Sequence, residues 1–260
     1  MKFCSLTSGS KGNCSLIISE QSKILVDCGI NLNTLEKFLA EENISADKID
    51  AIFVTHEHND HIFGLDAFCK KYRPRVFVHK KGFLELAKKL YWTNHLLTPF
   101  EEDFRFKDLS VSTFVCSHDS SYCVGYRFDD GKNAVAQITD IGEVDDKIVD
   151  FCKNCHLVLL ESNHDEFMLS NGDYPYLLKK RIAGRFGHLS NEKAAQTAVK
   201  FCSCGVRRLL LGHLSQNNNT PETAFFTACN ELEKNGLQEG KDIKINVVKQ
   251  FEKSEVFEVE

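Results

Sequence analysis

The segment Thr55-His56-Glu57-His58-Asn59-Asp60-His61 places three imidazoles and the Asp60 carboxylate within one short stretch. Imidazole nitrogen and carboxylate oxygen are the donors that zinc, manganese and iron accept. Alternate side chains of an extended stretch share a side, so His56 and His58 face one way. Asp60 and His61 follow where IFGL begins a helical pattern. Such a strand-to-helix loop offers two imidazoles to one ion and a carboxylate with an imidazole to a neighbour. A lone histidine is ordinarily structural; four donors at this spacing predict a metal site. More donors then belong at other strand ends. His118 in VCSHDSS, Asp140 in AQITDIG and His213 in LLLGHLS each close an apolar β run, as IFV precedes Thr55.

The elements that must hold these ends read as follows. FCSLTS, CSLIIS and KILVDCGI form a hairpin-rich β start around the loop GSKGN. NTLEKFLAEENI has apolar residues at helical spacing, IDAIFVT is a strand, and the chain is helical from Gly64. RVFVH is a strand, and a helix follows from Phe83 to about Leu90. Residues 104–139 read as a β meander. Beyond it, EVDDKIVDFCKN, YPYLLKKRIAGRF, NEKAAQTAVKFCS and residues 221–235 are helical, and HLVLLES, VRRLLLGH, IKINVVKQF and EVFEVE are strand-like. Both halves run from mixed β to strand–helix alternation. Two packed sheets with helices outside is the layered solution.

Composition narrows the class. The chain has 260 residues, 42% of them hydrophobic, enough for a sizeable core. No run approaches the ~18 apolar residues of a transmembrane helix. MKFCSLTSGSKGNCS turns polar too early for a signal peptide, so a cytoplasmic protein is expected. Its 11 cysteines follow no disulfide rhythm and read as reduced thiols. Cys152, Cys155, Cys202 and Cys204 would make a structural zinc site only if the fold gathered them. A net charge of −5 excludes a uniformly basic nucleic-acid binder. Positive charge is nevertheless local. Lys70, Lys71, Arg73, Arg75, Lys80, Lys81, Lys88 and Lys89 face Glu85 alone, and Lys179, Lys180, Arg181 and Arg185 form a second cluster. Such runs are either solvated faces or the footprint of an anionic partner.

His56-x-His58-x-Asp60-His61, with His118, Asp140 and His213, resembles the five-motif signature of the metallo-β-lactamase superfamily. LVDCG is similar to its second-strand aspartate motif at Asp27, and the resemblance covers nearly the whole chain. It implies an α/β fold, a four-layer αββα sandwich, with two divalent ions at one edge. By that likeness His56, His58 and His118 hold the first ion, Asp60, His61 and His213 the second, and Asp140 bridges them. A metal-bridging hydroxide, oriented by Asp60, is then the nucleophile. Two ions about 3.5–4 Å apart acidify such a water and clamp an anionic transition state. Oxygen-reducing flavodiiron relatives carry glutamate where this chain has His58, which argues for hydrolysis.

LLESNHDEFML and GHLSNEKAA resemble stretches of ribonuclease Z relatives. The likeness makes His188 the proton donor to the leaving oxygen, supported by Glu161 or Asp165, with His164 beside them. SNEK also reads as a helix cap at Ser190, which would make His188 merely a cap neighbour. SLTSGSKGN, THEHNDH, SHDSSYCVGYRF, LESNHD, GHLSN and LGHLSQNNNTPE together resemble most closely the WalJ (YycJ) family. That implies one domain over 1–260 acting as a 5′-to-3′ exonuclease on double-stranded DNA with accessible ends. The stretch from Asp140 to His213 is too short for the cap domain of the ribonuclease J group. Rival readings are a small-molecule phosphodiesterase acting on cyclic phosphate, or a lactonase, on the same scaffold. A non-enzymatic DNA-binding or scaffold protein would have little use for a complete ligand set. Histidine and aspartate donors do not choose among manganese, zinc and iron. No membrane or protein partner is indicated.

Three further stretches bear on substrate. TSGSKGN lacks the Walker A spacing. It is either a plain turn or a cradle in which the N–H groups of Gly9 to Lys11 meet a phosphate, with Ser10 and Lys11 as contacts. Trp92 either stacks on a terminal base or anchors the core. Tyr174 and Tyr176 lead into Lys179, Lys180 and Arg181, the expected track for a DNA backbone.

Overall fold

A computed structural model describes residues 1–259. Apolar β-branched and aromatic runs with short turns build two seven-stranded sheets. The first holds β1 (Lys2–Thr7), β2 (Cys14–Ile18), β3 (Lys23–Val26), β4 (Ala51–Val54), β5 (Arg75–His79) and β6 (Leu97–Phe100). The second holds β7 (Phe104–Phe106), β8 (Leu109–Val115), β9 (Val124–Asp129), β10 (Ala134–Ile138), β11 (Leu157–Glu161), β12 (Arg208–Gly212) and β13 (Lys244–Val247). Finally β14 (Phe257–Glu258) returns to pair antiparallel with β1. Each sheet starts as an antiparallel meander and continues as parallel strands, β3 to β6 and β10 to β13.

Parallel strands need crossovers, and helices supply them. Leu35, Phe38 and Leu39 of α1 (Leu32–Glu41), Leu65, Phe68 and Cys69 of α3 (Leu65–Tyr72) and Leu86 of α4 (Phe83–Lys89) pack on the outer face of the first sheet. Between α1 and α3 lies the single turn α2 (Asn59–Ile62). The second sheet is covered by α5 (Asp146–Phe151), α8 (Asn191–Ser203) and α9 (Pro221–Lys234). Two further helices, α6 (Glu166–Asn171) and α7 (Tyr176–Ile182), lie between β11 and α8. The result is the αββα sandwich of the metallo-β-lactamase fold. No helix among the described residues is long and apolar enough to cross a membrane.

The inner faces meet in a third apolar cluster that joins residues of both sheets. Phe53 of β4 sits at its centre. Its ring stacks on Phe77 at 4.9 Å and meets Phe128 and Tyr126 edge-on at 5.0 and 5.6 Å. Phe53→Ala should therefore cost about 3–5 kcal/mol of stability, read from the urea midpoint at unchanged m-value. A loss under about 1 kcal/mol would mean that the sheets are not held together at this ring.

The structure departs from expectation in a few places. β6, sequence LTPF, carries none of the strand signals. It forms because it is an edge, where Pro99 needs no donor on its outer side. Asp60 and His61 lie inside α2 rather than before a helix. The helix expected over YPYLLKKRIAGRF ends at Ile182, just before Gly184. Of EVFEVE only Phe257–Glu258 pairs, and residue 260 lies outside the described residues. The four thiols considered for zinc are absent from every metal-capable grouping among the described residues. Cys152 and Cys155 are core residues, and Cys202 and Cys204 pack against that core. All 11 cysteines are free.

Candidate dimetal centre

The donor side chains gather at the C-terminal ends of the strands. Asp27 follows β3, His56 follows β4, His118 follows β8, Asp140 follows β10, Glu161 ends β11 and His213 follows β12. Asp27, Asp140 and His213 take left-handed backbone, with φ of 62°, 57° and 55°. Outside glycine that conformation is costly and collects at functional sites. The turn between β3 and α1 passes so close to α2 that a Cβ at Gly29 would stand 1.7 Å from the Asp60 carbonyl oxygen. Any larger residue at 29 would push Asp60 aside.

Four overlapping groups each bring one donor atom per residue within 4.8 Å of the others: His56, His58 and His118; Asp60, His61 and His213; His56, His61 and Asp140; and Asp140, Glu161, His188 and His213. The two triads assigned to separate ions from sequence are thus gathered as separate groups, with Asp140 between them. Its Oδ1 lies 3.5 Å from His118 Nε2, and its Oδ2 lies 2.9 Å from His61 Nε2. His58 Nδ1 and His118 Nε2 are 3.2 Å apart. Two nitrogens on one tetrahedral zinc at 2.0–2.1 Å would stand about 3.4 Å apart.

Four of the five ligand-type rings are held from behind. His61 Nδ1 lies 2.7 Å from Asp27 Oδ2, and His56 Nδ1 is 3.0 Å from Thr55 Oγ1. His118 Nδ1 reaches the Gly187 carbonyl at 3.3 Å, and His213 Nδ1 reaches Glu161 Oε1 at 2.5 Å. These acceptors draw the ring protons outward and aim bare Nε2 lone pairs inward. His61 Nε2 then confronts Asp140 Oδ2, two acceptors that repel unless a cation lies between them. His56 Nε2, Asp140 Oδ2 and His213 Nε2 are buried with no hydrogen-bond partner. Burial would lower His61 and His213, but the carboxylates around them outweigh it and lift both rings well above the usual imidazole range, so the cluster draws positive charge into its centre, as a site for divalent ions must. Burial, then neighbouring His61, pushes His56 well below the usual imidazole range. Burial alone would raise Asp140, but His213 and His61 outweigh it and hold the carboxyl well below its usual range.

His188 is placed differently. Its Nδ1 shares Glu161 Oε1 with His213, at 2.8 Å, and lies 3.6 Å from Asp140 Oδ1. Glu161 Oε2 accepts the N–H groups of Ile141 and Leu189. Burial would raise Glu161, yet the two imidazoles bring it down to about 2. For His188 burial lowers and Glu161 raises; the carboxylate prevails and the ring is lifted above its ordinary value. Asp165, the other support considered, is not there: its side chain caps α6 by accepting from Met168 N–H. Ser190 does cap α8, so His188 is a cap neighbour as well as a partner of Glu161. The side chains of Asp60 and His188 are 23% and 20% exposed, so a carboxylate and an imidazole face the open side.

Other expected contacts shift. Gly9 N–H already donates to Asn13 Oδ1, which removes it from any phosphate cradle, while Ser10 and Lys11 are exposed. Arg181 Nε is committed to Asp119 Oδ2 at 2.5 Å, and Lys179 Nζ donates to the Ser170 carbonyl. Trp92 is 57% exposed under Lys70 Nζ at 4.3 Å, so it is no core anchor. Two residues went unnoticed in the sequence. Asn13 Nδ2 sits 3.2 Å from Asp60 Oδ2 and 3.1 Å from His61 Nε2. Glu57 accepts from the Ser121 N–H at 2.8 Å and Oγ at 2.9 Å, tying the His56–His61 loop to the His118 loop. The alternation that turns His56 and His58 inward sends Glu57 the other way, which was the available signal.

A sandwich of two mixed sheets with histidines and aspartates converging at the strand ends defines a hydrolase class. The sequence pattern of the Beta-lactamase superfamily domain matches residues 22–214, and the chain belongs to the metallo-β-lactamase superfamily. Within it, exodeoxyribonuclease WalJ of Streptococcus pneumoniae is 32% identical over 249 residues, 94% of this chain and 93% of that protein. Exodeoxyribonuclease YycJ of Bacillus anthracis is 32% identical over 256 residues, 95% of this chain and 94% of its own. Among solved structures, the metallo-β-lactamase fold protein YhfI from Bacillus subtilis superposes with a TM-score of 0.73 at 19% identity, covering 98% of both chains.

Proposed function

We propose that the protein is a metal-dependent exodeoxyribonuclease that removes nucleotides from the 5′ ends of duplex DNA, with 1–260 acting as one domain in the cytoplasm. The observation that carries the reading is Glu161, which binds one imidazole aimed at the cluster and another left facing the substrate side. That pairing supplies a proton donor beside the donor cluster, which suits a poor leaving group such as the 3′ oxygen of a nucleotide. DNA as substrate is supported by the named activity of the two relatives above. The unpaired cysteines support a reducing setting.

In this reading His56, His58 and His118 would hold one divalent ion and Asp60, His61 and His213 the other, with Asp140 facing both groups. Both ions are proposed to be manganese or zinc, and the same donors accept iron. The ions, when bound, supply an activated water and neutralise charge on the phosphoryl oxygens. Asp60 orients that water from the open side. Glu161 fixes the His188 Nδ1 proton, which leaves Nε2 to protonate the departing oxygen. Asp27 keeps His61 aimed, so Asp27→Asn should weaken metal affinity about 10- to 100-fold, measured by titrating the apoprotein. Unchanged affinity would remove Asp27 from the site.

End-labelled duplex DNA, single-stranded DNA and RNA test the whole proposal with metal-reconstituted protein. Mononucleotides released progressively from the 5′ label are expected. Cleavage confined to small diesters would put the small-molecule reading ahead. Lys179 and Lys180 remain the proposed backbone contacts on α7. Arg181 is left out of the test because it anchors Asp119 beside His118. Lys179→Glu with Lys180→Glu should raise KM for DNA and flatten the salt slope of binding by about 1–2 units. An unchanged slope would make α7 a solvated face.

A further inference from the structure

A cavity of about 520 Å³ lies outside the donor cluster. It is bounded by α6, α7 and the first turn of α8, through His164, Glu166, Leu169, Tyr176, Lys180 and Lys193. Its size is that of sites for small organic ligands. Three amines line it against one carboxylate, and Glu166 is already engaged by the Ser190 hydroxyl at 3.0 Å. Lys179 Nζ gives one of its three hydrogens to the Ser170 carbonyl. Lys180 has no partner among the described residues, and Lys193 Nζ reaches only the Gly142 carbonyl at 3.5 Å. His164 is 2% exposed, and its Nδ1 has no hydrogen-bond partner. Burial pushes this imidazole down to about 4, so it stays neutral and keeps one donor and one acceptor for a ligand. The dipole of α8, capped by Ser190, points its positive end here.

The position of this cavity relative to His188 gives it a meaning. His188, Leu189 and Ser190 run beside the segment that follows β11, where Asn163 N–H bonds the Leu189 carbonyl and His164 bridges Ser190. Leu189 turns into the core, so His188 and Ser190 share the opposite side. His188 reaches the donor cluster, and two residues on, about 7 Å away, Ser190 lines the cavity. In hydrolysis from a 5′ end, the water oxygen bonds to phosphorus and the bond from phosphorus to the 3′ oxygen of the terminal nucleotide breaks. That oxygen takes the proton from His188 Nε2. The departing nucleotide must therefore lie beyond His188, on the side of the cavity.

We propose that this cavity receives the departing 5′-terminal nucleotide and holds its 5′-phosphate on Lys180 and Lys193, with Tyr176 and His164 against its base and sugar. The proposal rests on the exonuclease reading and adds a requirement for a 5′-phosphoryl end. The test compares kcat/KM on matched duplexes that differ only in a 5′-phosphoryl or 5′-hydroxyl end. Parent protein should prefer the phosphorylated end by roughly 10- to 100-fold, the scale of charge-assisted hydrogen bonds. In Lys180→Ala/Lys193→Ala the ratio should fall towards one. A deoxynucleoside 5′-monophosphate should inhibit the parent more than the 3′-monophosphate does, a comparison that needs no variant. Equal digestion of both ends by the parent would overturn the cavity proposal and leave the nuclease reading intact, and so would digestion from the 3′ end with respect to the cavity. Hydrolysis of bis(nitrophenyl) phosphate with no digestion of any DNA would overturn both.

Discussion

Asp140→Asn should retain the fold, lose most of the bound metal and lose nearly all hydrolysis. Elemental analysis should give about two ions per parent chain and clearly fewer in the variant. Asp140 is the one carboxylate whose two oxygens face the two triads, at 3.5 Å from His118 and 2.9 Å from His61. Asparagine keeps its shape and tolerates the left-handed φ of 57°, so the substitution removes charge and little else. Asp140→Ala is the harsher change. Alanine tolerates that left-handed backbone less well than Asp or Asn, at a cost of about 1 kcal/mol, and leaves a void among buried polar groups. Both variants should inactivate and lose the stabilisation that bound ions give, but compared as metal-free proteins only the alanine should melt noticeably lower than the parent. If Asp140→Asn kept two ions and full activity, the dimetal centre would not be organised around this residue.

Much of this centre was legible because its donors end apolar β runs, and a chain must leave a buried strand somewhere. His56, His58, Asp60, His61, His118, Asp140 and His213 are all placed by that rule. Sheet order was less legible. β6 is a strand only because β5 offers an edge, and no local pattern in LTPF records a neighbour. Of the contacts that position the site, Glu161 behind His188 was legible, but most were not. Asn13 reaches Asp60 across 47 positions, Ser121 reaches Glu57 across 64, and Gly187 reaches His118 across 69. Such pairs have no spacing to read. Asp165 shows the opposite failure. It lies four residues after Glu161 and looks like an equal candidate, yet starting α6 turns it into a cap. The charge clusters misled in part, because net charge counts a residue whether or not it is spoken for. Arg181 offers little charge outward while Asp119 holds it.

His188→Ala is expected to keep its metals and to lose about 10²–10⁴ in rate on DNA, the range for general acid catalysis. His188 lies near Asp140 and His213 but belongs to neither triad, and its one strong partner is Glu161, so metal content should survive its removal. The 3′ oxygen of a nucleotide is a poor leaving group and needs a proton as its bond breaks. Nitrophenolate leaves without one. The loss should therefore shrink sharply on bis(nitrophenyl) phosphate, and that difference separates an acid from a residue that merely supports the site. Glu161→Gln makes a second case. It should disturb His213 as well as His188, because one oxygen serves both rings. Metal affinity and rate should then fall together, on both substrates. An equal loss on both substrates in His188→Ala would assign His188 to the scaffold of the centre, and the proton for the leaving oxygen would have to come from elsewhere on the open side.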